Sequence, residues 1–136
     1  MNATTKELTR VQRDSDGKCN LIDANGNEQL FDRLDNFKDG LARVQRANGE
    51  WNFIGEDCKL LSNEWFGYVD YFKNGLAKVQ RKEDKKCNYI NKNGKIISDE
   101  WFNRVFDFKD GFAVVERTNG EFCKINKTGK IVGLSK

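Results

Sequence analysis

The sequence of 136 residues has no histidine, no proline and no run approaching the ~18 apolar residues of a membrane-spanning helix. Without histidine, the commonest general base near neutral pH and the commonest metal ligand are both gone. Cysteine occurs at 19, 58, 87 and 123 but never as a CxxC pair, so zinc-ribbon spacing is missing. There is no glycine-rich phosphate cradle and no Gly-x-Ser-x-Gly nucleophile elbow. Charge of one sign is also scarce. The 24 lysines and arginines face 21 aspartates and glutamates, and the net +3 is too small to imply nucleic acid or an anionic membrane by itself. These absences argue against catalysis, and no catalytic residue, cofactor or metal site is expected. The start, MNATTKELTRVQR, lacks the apolar core of a signal peptide, so a cytoplasmic location without membrane association is expected. In a reducing cytosol the four cysteines are expected to be reduced, unligated, small buried hydrophobes.

What the chain does contain is repetition. Its 12% aromatic content argues against disorder, and its length suits one domain with a real core. Gly40, Gly75 and Gly111 stand 35 and 36 residues apart, each preceded at the same offsets by Phe37, Phe72 and Phe108, and by Phe31, Phe66 and Phe102. After each glycine come LARVQR (41–46), LAKVQR (76–81) and FAVVER (112–117), with LTRVQR (8–13) as a further copy. A second segment reads KCNLID, EWNFIG, KCNYIN and EFCKIN; a third reads KLLS, KIIS and KIV, with a degenerate NEQL. Repetition at such a period marks a structural unit that is stacked or arrayed.

Each unit reads as short alternating strands bounded by Asn-Gly and Asp-Gly turns, whose positive φ angles suit tight hairpins. The expected fold is all-β, a single domain over 1–136 in four units of about 8–40, 41–75, 76–111 and 112–136. Each unit is a three-stranded antiparallel sheet. Unit lengths drift from 33 to 36, which favours an open twisted array; a closed propeller-like ring is the alternative. Alternation puts Ala42 with Val44, Ala77 with Val79 and Ala113 with Val115 on one face, and Leu41, Arg43 and Gln45 on the other. Ile22, Ile54, Ile90 and Ile125 form a core row, with Asn20, Asn52, Asn88 and then Cys123 beside it. A buried amide must find partners, so the asparagines are expected to bond backbone; a polar pocket is the alternative. The aromatic connector, WFNRVFDFKDG in its last copy, is expected to pack each sheet on its neighbour as an ordered loop of helical or bridging character; a short strand or a turn of helix is the alternative.

With these segments in view, the chain resembles the bacterial WG-repeat proteins. The family unit runs Gly-Leu-Ala-x-Val, a basic turn, Lys-Trp-Gly-Tyr-Ile-Asp, Lys-x-Gly-Lys and a Phe-x-x-Gly approach to the next unit. GLARVQRANGEWNFIGEDCK and GLAKVQRKEDKKCNYINKNGKII carry that pattern, and the likeness spans 8–132. The family's tryptophan survives only at Trp51, and Asn20, Asn52, Asn88 or Cys123 takes the place of the following glycine. The resemblance implies a β-rich array with binding roles rather than one activity.

Function is therefore expected to be non-catalytic binding of another protein, with a small inhibitor of a larger enzyme, as in host–phage conflict, as one form. Interface energy concentrates in Trp, Tyr and Arg. Trp51 occupies a position where other units use Cys or Phe, so packing does not require its bulk. Trp51, Tyr68, Tyr71, Arg43, Arg46, Lys78 and Arg81 form the candidate contact set. The alternative is a nucleic-acid or polyanion binder that tracks phosphates with two basic rows, Arg13, Arg46, Arg81 and Arg117, and Arg10, Arg43 and Lys78.

Overall fold

The structure, a computed structural model, describes residues 10–13, 19–22, 28–29, 31 and 33–134, with side chains described at 31 and over 33–133. The side chains of Arg10, Arg13, Cys19, Asn20 and Ile22 thus lie outside the described residues. Among the described residues there is no helix, and the strands form four small antiparallel meanders in chain order. Sheet A holds β1 (Arg10–Arg13), β2 (Cys19–Ile22) and β3 (Glu28–Gln29), and sheet B holds β4 (Arg33–Leu34), β5 (Leu41–Gln45) and β6 (Trp51–Gly55). Sheet C holds β7 (Tyr68–Val69), β8 (Leu76–Gln80) and β9 (Cys87–Asn91). Sheet D adds a fourth strand: β10 (Arg104–Val105), β11 (Phe112–Glu116), β12 (Phe122–Asn126) and β13 (Ile131–Leu134). No sheet closes on itself, in keeping with open tandem sheets. The chain divides into two compact units, Met1–Trp65 with sheets A and B, and Phe66–Lys136 with sheets C and D.

The connector takes the short-strand form rather than the favoured loop. It carries a two-residue strand that opens the following sheet: Arg33 and Leu34 pair with Gln45 and Val44, and Tyr68 and Val69 with Gln80 and Val79. The Lys-Asp/Asn-Gly signature makes this possible. Asp39, Asn74 and Asp110 have φ of 53°, 56° and 56°, and the next glycines 85°, 83° and 88°. Two consecutive positive φ values define the tight turn whose twist matches the strands it joins. Lys73 and Leu76 accordingly exchange both backbone hydrogen bonds, at 2.8 and 3.1 Å.

The third segment is also shorter than expected in sheets B and C. It contributes only the single bridges Ile54–Leu60 and Ile90–Ile96, each followed by one more bond, Leu61 N–H to Phe53 O and Ile97 N–H to Tyr89 O. An asparagine side chain then takes over from the backbone. Asn88 Nδ2 donates to Ser98 O at 2.9 Å and Glu100 O at 3.1 Å, and its Oδ1 accepts from Tyr89 N–H at 2.8 Å. Asn52 repeats this with Ser62 O, Glu64 O and Phe53 N–H at 2.9, 3.2 and 2.7 Å. Both amides are fully buried. Ser98 Oγ then accepts from Glu100 N–H, and Ser62 Oγ from Glu64 N–H, which explains the recurrent Ser-x-Glu-Trp. At Asn52 and Asn88 the asparagine row is structural, while the Asn20 side chain lies outside the described residues.

Among the described residues, hydrophobic clusters fill these units. In the first unit Ala42, Val44, Ile54 and Cys58 pack with Phe31, Leu60 and Trp65. In the second, one cluster joins Leu76 and Tyr89 of sheet C to Ala113, Val115, Cys123 and Ile125 of sheet D, with Phe102 and Phe108 of the connector in the same cluster. The aromatic connector thus packs sheet C on sheet D, as the sequence suggests. A close approach accompanies this: a Cβ at Gly129 (φ 85°) would lie 2.0 Å from Ile97 O.

One expectation fails. Cys58 is disulfide-bonded, whereas Cys87 and Cys123 are free thiols. Cys58 sits at a turn position with φ 65°, where the matching turns use Gly94 and Gly129 at 84° and 85°. A side chain tolerated in that left-handed region is unusual. Alkylation of the denatured, unreduced protein should therefore mark Cys87 and Cys123 and leave Cys58 unmarked; four alkylated thiols by intact mass would exclude the crosslink. Asn88→Ala should lower unfolding free energy by about 2 kcal/mol, because two buried carbonyls and one N–H lose their partner. Urea titration measures this, and a loss under about 0.5 kcal/mol would assign the amide no structural role.

Candidate functional site

Alternation along β8 turns Lys78 and Gln80 away from the Ala77 and Val79 core face. Lys78 borders an open hollow of about 210 Å³ lined also by Tyr68, Asp70, Gln80, Cys87 and Val105. A small adjoining recess shares Lys78 and adds Tyr71, Lys73 and Asp107. Tyr68 and Tyr71 are 45% and 46% exposed, so both rings offer contact area to solvent. The candidate site is this Lys78 surface.

Its charges are internally matched. The Lys78 ammonium lies 2.8 Å from Asp107 and 3.7 Å from Asp70, while Lys73 is 3.4 Å from Asp107. Burial alone would depress the Lys78 pKa, but hydrogen bonds and charge from Asp107 and Asp70 outweigh it and raise the value. The hydrogen bond from Lys78 holds Asp107 below its usual range, with the Lys78 and Lys73 charges adding to the effect. Beneath the surface, the Tyr89 hydroxyl donates to Phe106 O, its ring meets Phe108 edge-on at 4.8 Å, and burial raises its pKa. Burial likewise raises the Cys87 thiol, which makes it a poor nucleophile near neutral pH. Among the described residues no cluster of three or more potential ligands could hold a metal ion.

Of the sequence-predicted set, this surface gathers Tyr68, Tyr71 and Lys78. Arg81 instead stacks on Trp101, 4.2 Å from the ring centroid, and pairs with Asp84 at 2.7 Å. Arg43, Arg46 and Trp51 belong to the other compact unit. Trp51 is buried at 8% exposure rather than spare, with Arg43 4.8 Å above its ring and Asp35 2.8 Å from that guanidinium. Arg46 stacks on Trp65 at 4.3 Å and pairs with Glu50. Arg46 on Trp65 and Arg81 on Trp101 are one repeated device, each worth about 0.5–2 kcal/mol depending on desolvation.

Sequence reasoning missed Asp70, Asp107 and Cys87. Asp70 was recoverable, because Asp35 and Asp70 precede their glycines by the same interval and face Arg43 and Lys78 across the hairpin. Asp107 reaches the surface from the connector that leads into sheet D, which leaves no local signal, whereas Cys87 lies there because it stands opposite Gln80 across β8 and β9.

The Asp107 carboxyl, held by its hydrogen bond from Lys78, should titrate below the ordinary aspartate range by carbon NMR. Its folded pKa is depressed, so the linked stability is present above the unfolded value and is lost as pH falls through the folded one. Lys78→Met should move the midpoint back upward; an unchanged midpoint would show that Lys78 is not its partner.

The family model for the WG containing repeat matches residues 30–51 and 89–121. No protein of curated function matches the sequence. Among solved structures, BamB from Moraxella catarrhalis matches at 11% identity and TM-score 0.46, over 95% of this chain and 47% of that one. A protein of unknown function from Bacteroides caccae matches at 13% identity and TM-score 0.35, over 93% of this chain and 66% of that one. The chain therefore spans about half of the BamB chain, 47%, and just under two thirds of the other, 66%. The matched stretches carry the hairpin entries at Gly40 and Gly111 and the Asn-Gly turns at 48–49, 93–94 and 119–120, and over them the chain is similar to the WG containing repeat.

Proposed function

We propose that the protein is a non-catalytic interaction module that binds another protein through the Lys78 surface, with Tyr68 and Tyr71 as anchors. The observation that carries this reading is the contrast between aromatic and basic groups. Tyr68 and Tyr71 stay nearly half exposed, while every described member of the two basic rows already has a carboxylate partner. Arg43 has Asp35, Arg46 has Glu50, Lys78 has Asp70 and Asp107, Arg81 has Asp84, and Arg117 has Glu100 and Glu121. Rows neutralised in this way are poorly suited to phosphate tracking, which weighs against the nucleic-acid alternative. Tyrosine brings large contact area at low conformational-entropy cost and is enriched at interface hot spots. The hollow beside it is of a size to receive one side chain of the partner.

A small rigid surface of this kind also suits an inhibitor that covers part of a larger enzyme. The cytoplasmic location is a separate proposal; a disulfide at Cys58 would persist there only by shielding, and Cys58 is 1% exposed.

Partners captured from native cells should include a protein whose affinity falls by about 30-fold, or about 2 kcal/mol, in Tyr68→Ala or Tyr71→Ala. Binding should depend weakly on salt. Capture of nucleic acid alone, with affinity falling at a slope near 0.9 per neutralised phosphate, would overturn the reading.

A further inference from the structure

Each sheet of the second unit has two faces, and the packing of C on D shows how the outward one is covered. On sheet C the outward face carries Leu76, Lys78 and Tyr89, with Lys78 paired to Tyr89 across β8 and β9. The segment 105–108 accompanies that face: Asp107 bonds Lys78 at 2.8 Å, Phe108 packs on Tyr89, and Phe106 O accepts from the Tyr89 hydroxyl. Leu76 and Tyr89 are 7% and 1% exposed, covered by Phe108 together with Phe102 and the Ala113, Val115, Cys123 and Ile125 face of sheet D.

The corresponding positions on sheet D are Phe112, Val114 and Lys124, with Val114 paired to Lys124 across β11 and β12. This face is open: Phe112 is 46% exposed and Lys124 is exposed. It also departs from the repeat in chemistry. Asp35 with Arg43 and Asp70 with Lys78 form cross-strand ion pairs, at 2.8 and 3.7 Å. In sheet D the same register positions hold Phe106, 42% exposed, and Val114, and Phe106 N–H donates to Val114 O at 3.2 Å. A buried or half-buried ion pair has been replaced by an apolar pair of which Phe106 is exposed and Val114 half-buried. Solvent alone favours the opposite substitution. Lys109 and Lys124, both exposed, stand beside this apolar centre.

We propose that the outward face of sheet D docks an extended, aromatic segment of a partner protein that bears a carboxylate, lying as 105–108 lies on sheet C. The aromatic groups cover Phe106, Phe112 and Val114, and the carboxylate meets Lys109 or Lys124. This rests on the reading of the chain as a protein-binding module but uses a surface other than the Lys78 hollow.

The test uses the full chain, isotope-labelled, and a blocked peptide with the sequence of residues 101–110, WFNRVFDFKD, as the probe. Saturable amide shifts centred on Phe112, Val114 and Lys124 are expected, with affinity reduced at least tenfold by Phe112→Ser in a chain whose spectrum is otherwise preserved. A peptide carrying Lys109→Glu should bind severalfold tighter at low salt, and one carrying Phe106→Ser with Phe108→Ser should not bind. No saturable shift, or shifts confined to Tyr68 and Lys78, would overturn this assignment while leaving the Lys78 reading intact. Failure of the tyrosine variants to weaken partner capture, with the peptide still bound on sheet D, would do the reverse. Concentration-dependent dimerisation abolished by Phe112→Ser, without peptide binding, would assign the face to a second copy and overturn the proposal.

Discussion

Two buried carboxamides, Asn52 and Asn88, decide where one sheet stops and the next connector starts. Each holds two carbonyls from the stretch that leaves its sheet and returns one acceptor to its own strand. A full third strand would satisfy the same groups with backbone, but it would carry the chain straight on along the sheet edge. The amide lets the chain turn away while leaving no buried polar group unpaired, and the low-dielectric surroundings make that bookkeeping strict. Sheet D shows the converse. Cys123 replaces the asparagine there, and the third segment runs as a full strand, with Leu134 opposite Cys123. The side chain at one register position therefore separates a sheet that hands the chain on from one that continues its ladder.

Around that clamp the other contacts arrange themselves by repetition. The serine hydroxyl fixes the bend, the following tryptophan lies under an arginine from the end of the first strand, and the phenylalanines fill the space between faces in the second unit. Arg117 has no such ring and pairs with Glu100 and Glu121 instead. The arginine rows are thus better understood as parts of the repeat's scaffold than as a free positive field. The tyrosines, by contrast, turn nearly half of their area to solvent on the Lys78 surface.

Much of this was legible from residue order. The isoleucine row, the Ala/Val face and the repeat count all follow from period-two alternation, and the asparagine row follows from the cost of a buried unpaired amide. The strands at 33–34, 68–69 and 104–105 could not be told from a loop or a turn of helix, because two residues carry no periodicity and their pairing depends on a turn of positive φ. Trp51 was misjudged for a related reason. A position filled by Cys or Phe elsewhere says nothing about how much space surrounds it in one particular unit. The partners of the basic rows were hidden because cross-strand and inter-sheet neighbours are far apart in sequence, as with Lys78 and Asp107.

The approach at Gly129 gives the repeats an order that their similarity conceals. A Cβ there would enter the carbonyl of Ile97 at 2.0 Å, so the second turn of sheet D must end in glycine. The corresponding turn of sheet B ends in Cys58. A duplication that copied the sheet B hairpin into the place of sheet D would bring a side chain onto that carbonyl. The cysteine turn of sheet B therefore cannot stand in for the glycine turn of sheet D. A chain assembled by copying one sentence several times has in this way ceased to be permutable.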